Sequence, residues 1–257
     1  MKVYFVGAGP GDPELLTIKA DRLLRKSHII IYAGSLVNTE ILSLLPEDAE
    51  KHDSANLDLQ EIKALFLNAK ERGIDVVRLH SGDPSIYGAI REQMNELDQL
   101  GINYEVIPGV SSFQAAAAAL RTELTAPEFA QTIILTRTSG RTPMPQEQDL
   151  SILGQTHSTL CIFLSTHKLG EVAATLSVHY GSDCPVALVY KASWPDQIII
   201  EGTLADISTK VAESGIKKTA MIIVGPALSR HIPASKLYDP AFSHEYRIGK
   251  EQCRLRS

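Results

Sequence analysis

The chain has 257 residues, of which 44% are hydrophobic and 21% charged, with a formal net charge of -5 at pH 7 and a pI near 5.9. This composition excludes a disordered, collagenous or coiled-coil chain and suits one large domain or two compact ones. The acidic balance argues against a general nucleic-acid binder, which needs a basic face to displace counterions from phosphate, and no apolar run reaches the roughly 18 residues of a membrane span.

In chain order, Met1-Lys2-Val3-Tyr4-Phe5-Val6-Gly7 runs straight into a strand at 3–6. It shows no signal-peptide pattern, so the cytosol is the expected compartment. Helix-period segments at 13–26, 58–71 and 84–100 alternate with apolar runs at 28–32, 76–79 and 104–107. That order predicts an open, largely parallel sheet covered by helices on both faces. Periodicity breaks at 121–130. Beyond it, strands are expected at 132–135, 159–164, 185–190, 197–201 and 220–224, with helices at 169–177 and 204–212. Ala192-Ser193-Trp194-Pro195-Asp196 has the length of a hairpin rather than a crossover, so the second sheet should be mixed. Residues 139–148, rich in proline and polar groups, read as a surface loop. The chain is therefore divided into an α/β domain at 1–120, a mixed α/β domain at 121–228 and an extension at 229–257 that carries six Lys/Arg against three Asp/Glu. Cys161, Cys184 and Cys253 lack metal-ligand spacing and are expected to be inert thiols. His28, His80, His157 and His179 are expected to be core or surface histidines, with no protein-bound metal.

Three junctions carry the chemical information. Gly7-Ala8-Gly9-Pro10-Gly11-Asp12-Pro13 follows the first strand but fails as a dinucleotide fingerprint, because aspartate replaces the last glycine and Pro10 removes a backbone donor. Asp12 and Pro13 instead read as an N-cap followed by proline at the first helical position. Ser81-Gly82-Asp83-Pro84-Ser85-Ile86-Tyr87-Gly88 repeats that grammar, with Asp83 expected as a helix cap. Pro108-Gly109-Val110-Ser111-Ser112 opens an alanine-rich helix. In a parallel sheet the carboxyl ends of the strands share one edge, so the three turns should converge on one crevice. The turns contain no lysine, so a ligand with ribose hydroxyls, an amine or a sulfonium fits better than a triphosphate.

In order and spacing these three segments resemble the signatures of the tetrapyrrole methylases that use S-adenosylmethionine, and the resemblance covers nearly the whole chain. Tyr32-Ala33-Gly34-Ser35-Leu36-Val37 and the segment from Ser235 to His244 are similar to the branch that methylates C11 of precorrin-4, or of its cobalt form, in cobalamin synthesis. The uroporphyrinogen III branch usually has aspartate where Ala33 stands. The resemblance implies two α/β domains with the cofactor in a cleft between them, and a homodimer. It implies cofactor contacts at Pro10, Ser81, Gly82, Asp83, Ile86, Ser111 and Ser112, with Leu164, Ala192 and Ala220 added from the second domain. Methylation of another tetrapyrrole carbon and a non-catalytic adenosyl-ligand sensor are the alternative readings.

In the implied reaction the ring nitrogen activates the acceptor carbon, so the nucleophile comes with the substrate and the protein mainly orients it; no base is nominated. A tetrapyrrole carries acetate and propionate carboxylates that need local donors. Lys51, His52, Arg137, Arg141, Lys168 and Lys191 are the candidates, Arg137 for its bidentate guanidinium. Tyr32, Ala33 and Ser35 end a strand in small residues that leave room for a flat ring.

Overall fold

The computed structural model describes residues 1–140, 142–229, 235 and 239–248. Arg141, Lys236, Leu237, Tyr238 and Cys253 lie outside the described residues. By packing, the chain forms two compact units. One is Met1–Arg121 with Leu188–Ile199 and Ile216–Met221; the other is Thr122–Ala187 with Ile200–Gly215 and the described residues from Ile222 onward. Ala192 and Ala220, expected among the contacts of the second domain, thus pack with the first unit.

The first unit runs β1 (Lys2–Gly7), α1 (Ile18–Leu24), β2 (Ile29–Tyr32), α2 (Thr39–Leu42), β3 (Glu50–Asp53), α3 (Leu59–Arg72), β4 (Val76–His80), α4 (Ile90–Gln99), β5 (Asn103–Ile107) and α5 (Ser112–Leu120). Its sheet has the order β3-β2-β4-β1-β5, and every neighbouring pair is parallel. Side chains alternate across it as a pleated strand requires. Val6, Ile30, Val77 and Leu79 pack with Leu24 of α1 and Ile41 of α2. Val3, Phe5, Ile29, Ile31 and Val76 pack with Phe66 of α3 and Leu97 of α4 on the opposite face.

Three local expectations are corrected. The helix at 13–26 is two pieces, because Leu16 is extended and Thr17 caps α1 by accepting from the Ala20 amide. The helix at 84–100 begins only at Ile90, since Tyr87 and Ala89 adopt left-handed backbone, φ 55° and 48°, which interrupts any earlier helical turn. β3 was not anticipated, because Glu-Lys-His-Asp has no apolar alternation. It is an edge strand, and charge protects an unpaired edge.

The second sheet contains β6 (Ile133–Arg137), β7 (Thr159–Phe163), β8 (Pro185–Tyr190), β9 (Ile198–Thr203) and β10 (Ala220–Val224) in the order β6-β7-β10-β8-β9. It is mixed: β6 is parallel and β10 antiparallel to β7. Helices α6 (Leu150–Leu153), α7 (Leu169–Tyr180) and α8 (Ile207–Ser214) accompany it. β7 is buried at every position, so its Thr-Leu-Cys-Ile-Phe sequence needs no alternation. Among the described residues, no helix is long and apolar enough to cross a membrane.

Candidate functional site

β4, β1 and β5 are adjacent and parallel, so the turns that follow them meet. The junction is made of backbone. The Ala8 amide donates to the His80 carbonyl at 2.7 Å, the Gly9 amide to the Gly82 carbonyl at 3.2 Å, and the Gly82 amide back to the Gly9 carbonyl at 2.8 Å. A Cβ on Gly7 would stand 2.6 Å from both the Gly109 nitrogen and the Gly82 oxygen, so glycine is what lets the three turns touch.

Asp83 joins two of these turns. One carboxylate oxygen accepts from the Ser85 amide at 2.8 Å and from the Ser85 hydroxyl, while the other accepts from the Gly109 amide at 2.9 Å. Its expected role as an α-helix cap is corrected, because α4 starts seven residues later and the carboxylate instead braces the second turn against the third. Asp12 does cap, accepting from the Glu14 amide at 2.8 Å, although Pro13–Leu15 is a single 3-10 turn. Buried Ser111 starts α5, and its amide donates to Gln114 Oε1 at 2.9 Å. A Cβ on Gly82 would lie 3.7 Å from Ser111 Cα and 3.8 Å from the Ser112 nitrogen. A side chain there would lie against the backbone at the start of α5.

Below the junction lies a buried cationic and neutral pair. Arg78 donates to Gln93 Oε1 at 3.0 Å and to the Ile31 carbonyl at 3.3 Å, both neutral acceptors, and burial lowers its pKa to about 10. Burial, with a smaller contribution from the Arg78 charge, pushes His80 down to about 3. His80 Nε2 is buried without a hydrogen-bond partner among the described residues, so this core histidine stays neutral.

The remaining candidates are dispersed. Tyr32 ends β2, and Ala33 and Ser35 follow at the same carboxyl edge, where the Ser54 hydroxyl donates to the Tyr32 carbonyl at 2.9 Å. Lys51 and His52 lie on β3, separated from β1 by β2 and β4. Ile86 is half-buried in the second turn. Leu164, in the second unit, is 66% exposed with φ 55°, a strained backbone for a bulky residue. Arg137 donates to the carbonyls of Thr138, Thr142 and Pro143, clamping the loop after β6. Lys168 pairs with Glu171 at 3.0 Å and Lys191 with Asp196 at 2.6 Å. Sequence reading missed Asn38 and Trp194, which each donate to a carbonyl of the first turn. Asn38 Nδ2 donates to the Gly11 carbonyl at 2.9 Å, and Trp194 Nε1 to the Pro10 carbonyl at 2.7 Å. The cap-like Asn38-Thr39-Glu40 run was a signal for the first; the second had none beyond its position in a turn.

Residues 2–208 match the model of the tetrapyrrole (corrin/porphyrin) methylases. The chain belongs to this family. It is 52% identical over 248 residues to a cobalt-precorrin-4 C(11)-methyltransferase of Methanocaldococcus jannaschii, with 96% of each chain covered. It is 48% identical to a precorrin-4 C(11)-methyltransferase of Pseudomonas aeruginosa, covering 97% of this chain and 100% of the relative. The crystal structure of a cobalt precorrin-4 methyltransferase superposes with a TM-score of 0.87 at 42% identity, covering 89% of this chain and 96% of that one. A uroporphyrin-III C-methyltransferase of Thermus thermophilus complexed with S-adenosyl homocysteine has a TM-score of 0.74 at 29% identity, covering 89% and 93%. Tetrapyrrole methylases use S-adenosylmethionine, and a junction of glycine and backbone whose three turns carry no lysine suits that ligand better than a triphosphate.

Proposed function

We propose that this chain transfers a methyl group from S-adenosylmethionine to C11 of precorrin-4 or its cobalt form during cobalamin synthesis. The observation that carries the reading is the similarity to a cobalt-precorrin-4 C(11)-methyltransferase across 96% of the chain at 52% identity. S-adenosylmethionine supplies an electrophilic methyl on sulfur, and a ring carbon made electron-rich by its pyrrole nitrogen supplies the nucleophile.

The chain's residues bind and orient. Pro10, Ser81, Gly82, Asp83, Ile86, Ser111 and Ser112 hold the cofactor through the junction, with Asp83 acting on the shape of the turns, and Leu164, Ala192 and Ala220 complete the contacts. Tyr32, Ala33 and Ser35 face the macrocycle, and Lys51 and His52 are the proposed carboxylate donors, because Arg137 already donates to the carbonyls of its own loop. Holding two reactants in line replaces a bimolecular encounter by an oriented one, and excluding water strengthens that orientation. The enzyme acts in the cytoplasm as a homodimer, which sedimentation of the purified protein tests.

The deciding experiment gives the protein methyl-labelled S-adenosylmethionine with precorrin-4, cobalt-precorrin-4 or uroporphyrinogen III, and reads the products by mass spectrometry. One labelled methyl on a precorrin-4 form, placed at C11 by NMR, is expected. Transfer to uroporphyrinogen III alone, or cofactor binding without transfer to any ring, overturns the reading.

A further inference from the structure

The first turn is bonded to the one tryptophan in the chain. Trp194 Nε1 donates to the Pro10 carbonyl at 2.7 Å, and Ser193 Oγ accepts from the Asp12 amide at 3.0 Å. Between these two bonds lies Gly11, at φ 156°, and a Cβ built there would overlap the indole ring. Three consecutive residues of the turn are therefore matched by two consecutive residues of the 191–197 segment. That segment is itself braced. Its ends are tied by the Ser193 amide to Gln197 Oε1 at 2.8 Å and by the Lys191 amide to the Thr219 carbonyl at 3.0 Å. The Lys191 ammonium sits 4.9 Å from the Trp194 ring centroid while paired with Asp196 at 2.6 Å. An indole anchored by a cation on its face and by its N–H at its edge has little freedom to turn.

We propose that Trp194 is a positioning residue for the methyl donor, setting the place of the Pro10 carbonyl and linking the first turn to Ala192. This rests on the reading of the chain as an S-adenosylmethionine-dependent methylase. Two proposed cofactor contacts, Pro10 and Ala192, are far apart in sequence yet share one rigid connection through Ser193 and Trp194. Asn38, buried, is bonded to the Gly11 carbonyl as well, so the turn cannot follow a displaced ring without breaking that bond too. A ligand that seats against Pro10 and Ala192 will therefore be sensed at the indole.

The test uses the full chain and S-adenosylhomocysteine as probe. Because Trp194 is the single tryptophan, the emission of the unaltered protein should shift when the probe is added. Trp194→Phe keeps a ring in the Gly11 notch but loses the N–H, and should raise the KM for S-adenosylmethionine about tenfold. Trp194→Ala should raise it further, by roughly 50-fold, and both variants should keep kcat and the tetrapyrrole KM within about threefold of the parent. Gly11→Ala should weaken probe binding in the parent and weaken it less on top of Trp194→Ala, because the collision with the ring has gone and only the strain of a side chain at φ 156° remains. Should Trp194→Ala fail to fold, Trp194→Phe and the emission titration decide. Unchanged cofactor KM in Trp194→Phe, a silent indole on saturation, or additive effects of Gly11→Ala and Trp194→Ala overturn the proposal while the parent still binds the probe by calorimetry. A parent that does not bind the probe at all removes the methylase reading and this inference together.

Discussion

The two sheets end their strands in different ways. In the first, β1, β4 and β5 run into turns whose backbones touch, with Gly7, Gly82 and Gly109 in contact and amide-to-carbonyl bonds tying the turns together. In the second, side chains close the strand ends. Buried Ser165 accepts from the Thr138 amide at 2.8 Å and the Thr138 hydroxyl at 2.9 Å while donating to the Phe163 carbonyl at 2.7 Å, and Arg137 clamps the following loop. The contrast shows how similar α/β elements serve different ends. A junction made of glycine lets main chains bond to one another with no side chain between them, whereas one closed by serine and arginine uses side-chain polar groups to tie the strand ends.

The sharpest way to break this comparison is to add a methyl group at the glycine junction. Gly7→Ala would push a Cβ into backbone of both neighbouring turns and should cost about 3 kcal/mol in urea unfolding, near the top of the overpacking range. Gly140→Ala, with nothing within 4 Å of its Cβ, should leave stability unchanged; equal costs would remove the distinction. Next, Ala33→Phe should lower kcat/KM for the tetrapyrrole roughly 100-fold by misplacing the acceptor, with cofactor affinity by calorimetry unaltered. Loss of cofactor affinity to the same extent would show that Tyr32, Ala33 and Ser35 do not serve the ring.

The buried pair under the junction gives a pH test. His80 is neutral in the fold, with its pKa near 3 against 6.5 when exposed. Its contribution is therefore complete above pH 6.5 and declines as the pH falls from 6.5 towards 3, because the unfolded chain then binds the extra proton. Relative to pH 7.5, stability at pH 5 should drop by about 2 kcal/mol from this group, and His80→Leu should flatten that part of the profile. A profile unchanged by the substitution would place the acid sensitivity elsewhere.

Effects of the same size or smaller follow at Asp83. Asp83→Ala should cost about 2 kcal/mol, since the Ser85 and Gly109 donors all lose their acceptor. Asp83→Asn should cost about 1 kcal/mol, because its single oxygen serves one side only. Identical values for the two variants would mean that the bridge to Gly109 carries no energy. The smallest change is expected from Arg137→Ala, about 1 kcal/mol, read together with faster protease cleavage within 138–148 once the loop carbonyls lose their donor. Unaltered cleavage would deny the clamp.

Much of this molecule was legible in its residues. The βα alternation, the parallel first sheet, the mixed second sheet and the meeting of three glycine turns follow from period, turn residues and the shared carboxyl edge of parallel strands, all of which are local patterns or rules of connection. β3 was not legible, because an edge strand of Glu50, Lys51, His52 and Asp53 is stabilised by pairing with β2 rather than by its own apolar face. The start of α4 was hidden too, since positive φ at Tyr87 and Ala89 is imposed by the turn they belong to.

Side-chain partnerships across long sequence separations were decided only by the fold. Asp83 is an Asp-Pro cap when read alone and becomes a bridge because Gly109 is brought beside it by β5. Arg137 has the right chemistry for a carboxylate, yet its donors go to carbonyls of its own loop. Trp194 reads as a residue in a hairpin turn until folding sets it on Gly11, 183 positions earlier in the chain. Local conformation is encoded by neighbours in sequence, which a single chain displays. A hydrogen bond between distant residues depends on where two strands end in space, and that position is a property of the packed sheet rather than of either segment.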